Sequence, residues 1–280
     1  MRIDAPGRLR LIALDVDGTL AGPDGRITAP VREAVAALME TRALVAIATG
    51  RTLSELSPVW AAWPGLRRVI YSNGAGITGF GPAAGAYGAG LTPTQAQEVY
   101  RASLKQEIMA EVYLGGQIYV DQGRWANRAY YNAGYLDREL PGSRTPVADM
   151  AAVFSGGRQV EKVNLFFHAP EERAAFVQAC GGLGLRTSFT IQGGLEFNNP
   201  LATKAAAISY LAGRLGIGPA ETAALGDSET DVELLKWAGV SIAMGNASAA
   251  VKAAAKLTAP ANSRDGAAWA IRKHLLPRCE

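Results

Sequence analysis

Two aspartates one residue apart, Asp15 and Asp17, close an apolar run that starts at Leu9 and is broken only by Arg10. The run is too short for a helix and stops at a turn signal, so it reads as a buried parallel strand. Residues two apart on a strand share a face, so Asp15 and Asp17 start on the same side unless the turn rotates them. Two carboxylates that close at the rim of a core repel each other and are poorly hydrated. Either one takes a proton or a cation sits between them. Gly18 permits a sharp turn, and Thr19 adds a hydroxyl. Asp-x-Asp-Gly also opens EF-hand calcium loops. The twelfth loop position, counted from Asp15, is Arg26 rather than glutamate, which rules that loop out.

Three further groups match this chemistry. The apolar stretch Ala43–Ala48 ends at Thr49-Gly50-Arg51, and Thr222–Leu225 ends at Gly226 and Asp227, with Asp231 close behind. Lys204 stands in the first turn of a predicted helix, where anions are favoured. Asp15 and Asp227 suit one Mg²⁺, an ion that prefers oxygen ligands. Lys204 and the Thr49 hydroxyl suit phosphoryl oxygens. Asp15 then suits attack on phosphorus, and Asp17 suits proton transfer to and from the leaving oxygen and a water. Each residue alone has a plainer reading: Lys204 as a solvated helix start, Thr49-Gly50 as a strand end, Asp231 as a first-turn helix charge. Their recurrence at three strand ends favours a single site.

The elements that must position these residues follow from periodicity. Ala21 to Thr28 is a Gly/Pro/Asp loop, Thr28 is a candidate N-cap, and residues 29–41 carry helical spacing. Strands are expected at Ala43–Ala48 and Arg68–Tyr71, with a short helix over Ser54–Trp63. Strand–helix–strand units of this length predict a doubly wound, Rossmann-like parallel sheet in an α/β core. Composition shifts to Gly, Ala and Pro over Phe80–Gly90, and an α+β pattern follows. That pattern has a helix to about Gln106, a hairpin of Ile108–Leu114 and Gln117–Asp121 about Gly115-Gly116, a helix near Trp125–Leu136, and a loop to Thr145. A strand at Val160–His168, a helix at Pro170–Cys180 and a second hairpin from Leu185 to Phe197 complete it. Residues 80–196 therefore read as an inserted α+β cap domain, and residues 1–79 and 197–280 as the core. The core pattern resumes with a helix from Thr203 to Leu215, strands at Thr222–Leu225 and Val240–Met244, and a last helix to about Leu276.

Composition narrows the function class. At 280 residues the chain has room for one large or two ordinary domains, and 49% hydrophobic residues supply ample core. A net charge of +3, with no basic run longer than two residues, offers no footprint for nucleic acid or an anionic membrane. No apolar run approaches the ~18–20 residues of a membrane-spanning helix. Cys180 and Cys279 build neither a disulfide framework nor a CxxC metal site, which suits a reducing cytoplasm. Gly74 to Gly79 fits GxGxxG, but the dinucleotide fingerprint needs a helix starting there, and the Pro/Gly-rich stretch that follows does not supply one. His168 and His274 lack partners at ligand spacing.

In order, these motifs resemble those of the haloacid dehalogenase superfamily. Asp15–Thr19 (DVDGT) is similar to its first motif, Ala48–Arg51 (ATGR) to the second, Lys204 to the third and Gly226–Asp231 (GDSETD) to the fourth. The place and pattern of the insertion resemble the type IIB cap of Cof-type phosphatases, as do Asn73–Ala75, Gly245-Asn246 and Asp265-Gly266. The resemblance implies a Mg²⁺-dependent phosphomonoester hydrolase of a small phosphorylated metabolite, by family weight a sugar phosphate. It implies Asp15 and Asp17 as catalytic residues and Thr49, Gly50, Arg51, Asn73 and Lys204 as phosphate-binding residues. Asp15, Asp17, Asp227 and Asp231 are implied around the metal, Asp17 through its backbone carbonyl. A phosphomutase of the same architecture and a catalytically weak phosphate-binding protein are the alternatives. Thr230 departs from the family pattern, which usually has Asn there.

Overall fold

Leu11–Leu14 (β1), Leu44–Ala48 (β2) and Thr222–Gly226 (β11) are short runs of branched and small apolar residues, almost all buried. Such strands need cover on both faces, which parallel sheets with flanking helices provide. The computed structural model describes residues 8–85, 87–136, 141–169, 171–189 and 193–279. It divides into two units. The first holds the described residues up to Gly50 together with Leu56–Tyr87 and those from Thr203 onward; the second holds Arg51–Glu55 and Gly88–Ala202.

The first unit is built on a seven-stranded sheet. Numbering the strands in chain order adds Val69–Tyr71 (β3), Gly76–Thr78 (β4), Val240–Ala243 (β12) and Leu257–Thr258 (β13), and the sheet order is β13-β12-β11-β1-β2-β3-β4. All neighbours are parallel except β4, which runs antiparallel to β3. β1 is central, with Leu14 opposite both Ile47 and Leu225. The strands carrying Asp15, Thr49 and Asp227 at their carboxyl ends are therefore adjacent and in register. This is the edge of an α/β sheet at which ligands bind. Helices Ala29–Met39 and Lys204–Leu215 run close to their expected spans. β4 was not expected, and it occupies the end of the GxGxxG stretch where a dinucleotide site would need a helix.

The second unit carries a six-stranded sheet. Its strands are Met109–Leu114 (β5), Gln117–Asp121 (β6), Arg144–Val147 (β7), Lys162–Phe166 (β8), Arg186–Phe189 (β9) and Leu195–Asn198 (β10), in the order β7-β6-β5-β8-β10-β9. Every pair is antiparallel except β6 with β7. Gly115 and Gly116 both take positive φ (63° and 78°), as a two-residue hairpin turn requires. Val112, Leu114, Val163, Leu165, Leu195 and Phe197 point to one face and join the core under the helix Pro93–Lys105. The other face is mixed and also buried: Met109, Val120 and Phe166 join a second apolar cluster, while Arg144 pairs with Glu111 (2.8 Å) and Glu55 (3.1 Å), and Lys162 with Glu196 (2.6 Å).

Several expectations need correction. The helix near Trp125–Leu136 is only Gln122–Ala126, capped by the Asp121 carboxylate; the chain then turns, and Asn132 adopts φ 58° to reach the carbonyls of Phe167 and His168. The loop expected up to Thr145 contains edge strand β7, where Pro146 is tolerated because an edge leaves its missing donor unneeded. The long segment of the second unit, Gly88–Ala202, lies a few residues later than residues 80–196, and Arg51–Glu55 join it. Tyr87 stays with the first unit because its hydroxyl donates to the Gly74 carbonyl (2.8 Å) and its ring packs on Tyr210. At the other end Arg186 holds the Ala202 carbonyl (2.7 Å) within the second unit. The expectations that reach residues 137–140, 170 and 190–192 lie there outside the described residues.

Candidate active site

Asp15 lies one residue beyond β1, and its N–H donates to the Leu225 carbonyl (3.0 Å), so the carboxylate leaves the sheet beside β11. It is 4% exposed. The turn over Val16–Leu20 does rotate the pair: Asp17 is exposed, and Gly18 takes φ 77°. The turn packs so closely that a Cβ on Gly18 would lie 2.1 Å from Asp227 Oδ2, so only glycine fits there.

Lys204 opens its helix under a Thr203 cap, whose hydroxyl accepts from the Ala206 N–H. Its ammonium is buried and donates to Asp15 Oδ1 and Asp231 Oδ1, both at 2.7 Å. Asp231 Oδ2 accepts from the N–H groups of Asp227 and Ser228 (3.1 and 3.0 Å) and from the Ser228 hydroxyl (2.9 Å). Asp231 therefore folds the 226–231 turn around itself while it anchors the lysine. Gly226 is required by the same closeness, since a Cβ there would meet Asp231 Cγ at 2.5 Å. Thr230, where an Asn was expected, places its hydroxyl 2.8 Å from that of Ser228.

Asp227 is held at both oxygens, Oδ1 by the Thr19 hydroxyl and Oδ2 by the Asn246 amide, each at 3.0 Å. Oxygen atoms of Asp15, Asp227 and Asp231 lie within 4.8 Å of one another. Asp17 is outside that group. Burial pushes the Asp15 carboxyl well above the ordinary carboxylate range; Lys204 pulls it down, and Asp231 pushes it up again. Burial also raises Asp227, against the Thr19 hydrogen bond. For Lys204 burial acts to lower the value, but Asp15 and Asp231 outweigh it and hold the ammonium above the usual lysine range. One lysine thus faces three carboxylates, and the excess negative charge is what burial penalises.

The remaining expected residues divide. Thr49 is fully buried at the end of β2, and its carbonyl accepts from the Asn73 N–H (3.0 Å). The Asn73 side chain lies over Gly50, where a Cβ would come within 2.9 Å of its Oδ1. Ser72 and Asn73 both adopt positive φ (50° and 56°), an uncommon conformation for two consecutive non-glycine residues and one that clusters at functional sites. Gly74 then passes the start of the Lys204 helix so closely that a Cβ would meet the Thr203 carbonyl at 2.2 Å. Arg51 belongs to the second unit, where its guanidinium donates to the Glu55 carbonyl (3.1 Å). The sequence reading assigned no role to Thr19 or Asn246. The signal for Asn246 was the Gly245-Asn246 pair already noted, three residues past the end of β12.

Acidic strand ends thus gather about one buried lysine, on a doubly wound α/β sheet whose chain carries an α+β insertion. A family pattern described as haloacid dehalogenase-like hydrolase matches residues 12–271, so the chain belongs to that family. It is 26% identical over 269 residues to a phosphoglycolate phosphatase of Methanoculleus marisnigri, covering 95% of this chain and 97% of the relative. It is 25% identical over 276 residues to the pyridoxal phosphate phosphatase YbhA of Escherichia coli, covering 95% and 99%. Its fold is similar to that of the HAD subclass IIB sugar phosphatase BT4131, with a TM-score of 0.73, 20% identity and coverage of 95% and 99%. No helix among the described residues is long and apolar enough to cross a membrane.

Proposed function

We propose that the chain is a Mg²⁺-dependent phosphomonoester hydrolase that works through an aspartyl-phosphate on Asp15. The observation that carries this reading is the buried Asp15 carboxylate, paired with Lys204 and grouped with Asp227 and Asp231. The donor set fits Mg²⁺: it is all oxygen, it is crowded, and it holds more negative charge than Lys204 balances. Asp231 already accepts from Lys204, two backbone N–H groups and a hydroxyl, so Asp15 and Asp227 are the carboxylates that would hold the ion, with the Asp17 carbonyl. When bound, the ion neutralises carboxylate charge and polarises the phosphoryl group.

This chain's residues supply the remainder. A carboxylate oxygen of Asp15 forms the new bond to phosphorus as the bond to the ester oxygen breaks. Asp17, exposed beside the site, gives its proton to that leaving oxygen. It then takes a proton from the water that attacks phosphorus, which releases phosphate and restores Asp15. Lys204 and Thr49 hold phosphoryl oxygens, with Gly50, Arg51 and Asn73 as further phosphate contacts. Lys204 acts as a fixed positive charge where negative charge gathers in the transition state.

What the named relatives share supports the proposed substrate class. Phosphoglycolate, pyridoxal phosphate and a sugar phosphate are all small phosphate esters, and a sugar phosphate or related ester is the proposed substrate here. The insertion, residues 80–196 in the sequence reading, is the proposed source of contacts to the leaving group. The test is phosphate release from a panel of phosphorylated metabolites with and without Mg²⁺, beside Asp15→Asn. Acid-quenched enzyme should carry a phosphoryl group on the peptide that contains Asp15. Turnover by Asp15→Asn within about tenfold of wild type would remove Asp15 from the mechanism.

A further inference from the structure

Asn246 follows the end of β12 and is exposed, yet both ends of its amide are engaged by parts of the chain distant in sequence. Its Oδ1 accepts from the Asn262 N–H (3.0 Å), which fixes which way the amide faces. Its Nδ2 then presents one N–H to the Gly18 carbonyl (2.9 Å) and the other to Asp227 Oδ2 (3.0 Å). The frame behind it is rigid. The Met244 N–H donates to the Gly226 carbonyl (3.0 Å), and Gly245 lies so close to Ala261 that a Cβ would meet its N at 2.6 Å. Asn262 in turn reaches the Ala21 carbonyl with its own side chain (2.9 Å). One amide therefore ties together the turn that follows Asp17, the carboxylate of Asp227 and the 259–262 segment.

The geometry points to Asn246 as the positioning residue of the cation site, setting the plane of the Asp227 carboxylate and the course of the turn at Gly18. This inference rests on the reading above that Asp15 and Asp227 hold Mg²⁺. Thr19 holds Asp227 Oδ1 and Asn246 holds Oδ2, so the carboxylate cannot rotate about its bond to Cβ without breaking one of the two. Each oxygen accepts one hydrogen bond here and keeps further acceptor capacity for a cation. A carboxylate free to rotate, repelled by Asp15 and Asp231, would have to be reordered whenever the ion bound. The residue type follows from this role. Aspartate cannot donate and would set a third charge against Asp227. Serine has one donor for two acceptors. Glutamine is one methylene too long for the distance that Asn262 fixes.

Partners that orient metal ligands typically cost ~10–100-fold in affinity when removed. The experiment is calorimetric titration of the full chain with MgCl₂, for wild type, Asn246→Ala, the near-isosteric Asn246→Leu, Asp227→Asn and the Asn246→Ala/Asp227→Asn double variant. Thermal melts of each are taken without metal. Both Asn246 variants should bind Mg²⁺ ~10–100-fold more weakly, while their metal-free melting temperatures stay within ~2 °C of wild type. Asn246→Ala should add little in the Asp227→Asn background, because its effect passes through that carboxylate. If wild type and Asp227→Asn differ in affinity while both Asn246 variants bind like wild type, the inference fails and the catalytic reading stands. An affinity loss matched by an equal loss of metal-free stability also overturns it, since the amide would then be structural only. No Mg²⁺ binding by wild type would remove both.

Discussion

Replacing Lys204 by methionine keeps most of the stem volume and removes one charge from the centre of the site. The side chains of Lys204, Asp15 and Asp231 are 2%, 6% and 1% exposed, and both ion pairs are 2.7 Å long. Taking away the shared partner leaves two buried carboxylates uncompensated, beside a third from Asp227. Breaking a buried pair in this way costs ~3–5 kcal/mol, because the charge left behind keeps its desolvation penalty. The cost depends on pH, and the sign can be worked out. Lys204 is raised in the folded state, so its contribution is whole below the ordinary lysine value of 10.5 and is lost only as pH rises through its folded value. In the variant Asp15 loses the positive charge that pulls it down and rises further above 3.8. A carboxyl raised by folding holds its proton more tightly in the folded chain, so stability falls as pH rises through that window. The deficit should therefore be small near pH ~4.5 and reach ~3–5 kcal/mol near pH ~7.5.

Urea unfolding at these two pH values measures it. Trp60, Trp63, Trp237 and Trp269 lie in the first unit, so tryptophan fluorescence reports mainly on the part that changes. The same variant should lose ~10²–10³-fold in kcat, the usual cost of removing a fixed donor aimed at developing charge. A deficit below ~1 kcal/mol at the higher pH, or one equal at both, would show that Lys204 does not compensate buried charge.

Asp17→Asn should lower kcat by ~10²–10⁴-fold while calorimetric Mg²⁺ binding persists, because the amide keeps the backbone carbonyl and loses the proton; lost binding would make the carboxylate itself a ligand. Arg144→Met should destabilise the second unit by ~3–5 kcal/mol, since Glu111 and Glu55 lose their buried partner. Faster hydrogen exchange in β5 and β6 would register this, and unchanged exchange would count against it. His274 should titrate below 6.5 by NMR, because burial, Lys273 and Arg278 all disfavour its cation. A base lowered by folding contributes stability above the unfolded value and loses it as pH falls, so acidification through this window should weaken the fold slightly. A midpoint at or above 6.5 would refute that environment.

How much was legible in the chain itself depends on how many residues a feature needs. The strand ends at Asp15, Thr49 and Asp227 were legible because an apolar run stopped by polar and glycine residues is a local pattern. The Lys204 helix was legible because threonine at its cap and glycine past its end are local chemistry. Pattern alone failed where a partner elsewhere overrode it. β7 contains a proline and reads as loop until β6 offers it an edge, and past Ala126 the chain turns to where Asn132 reaches carbonyls 35 and 36 residues away.

The motif order in the sequence was enough to bring Asp15, Thr49 and Asp227 to adjacent strand ends, since parallel strands joined by helices place their carboxyl ends on one edge. It could not say that the turn at Gly18 buries Asp15 and exposes Asp17, because spacing puts both on one face and only the close packing of Gly18 against Asp227 rotates them apart. Nor could it say that Asp231 turns inward to Lys204, that Arg51 joins the second unit, or that Asn246 spans 228 residues to Gly18. Those are pairings of hydrogen-bonding groups whose partners are unrelated in sequence. A donor's identity is written in the chain; which acceptor it meets is decided only when the tertiary fold excludes water and brings the two within 3 Å.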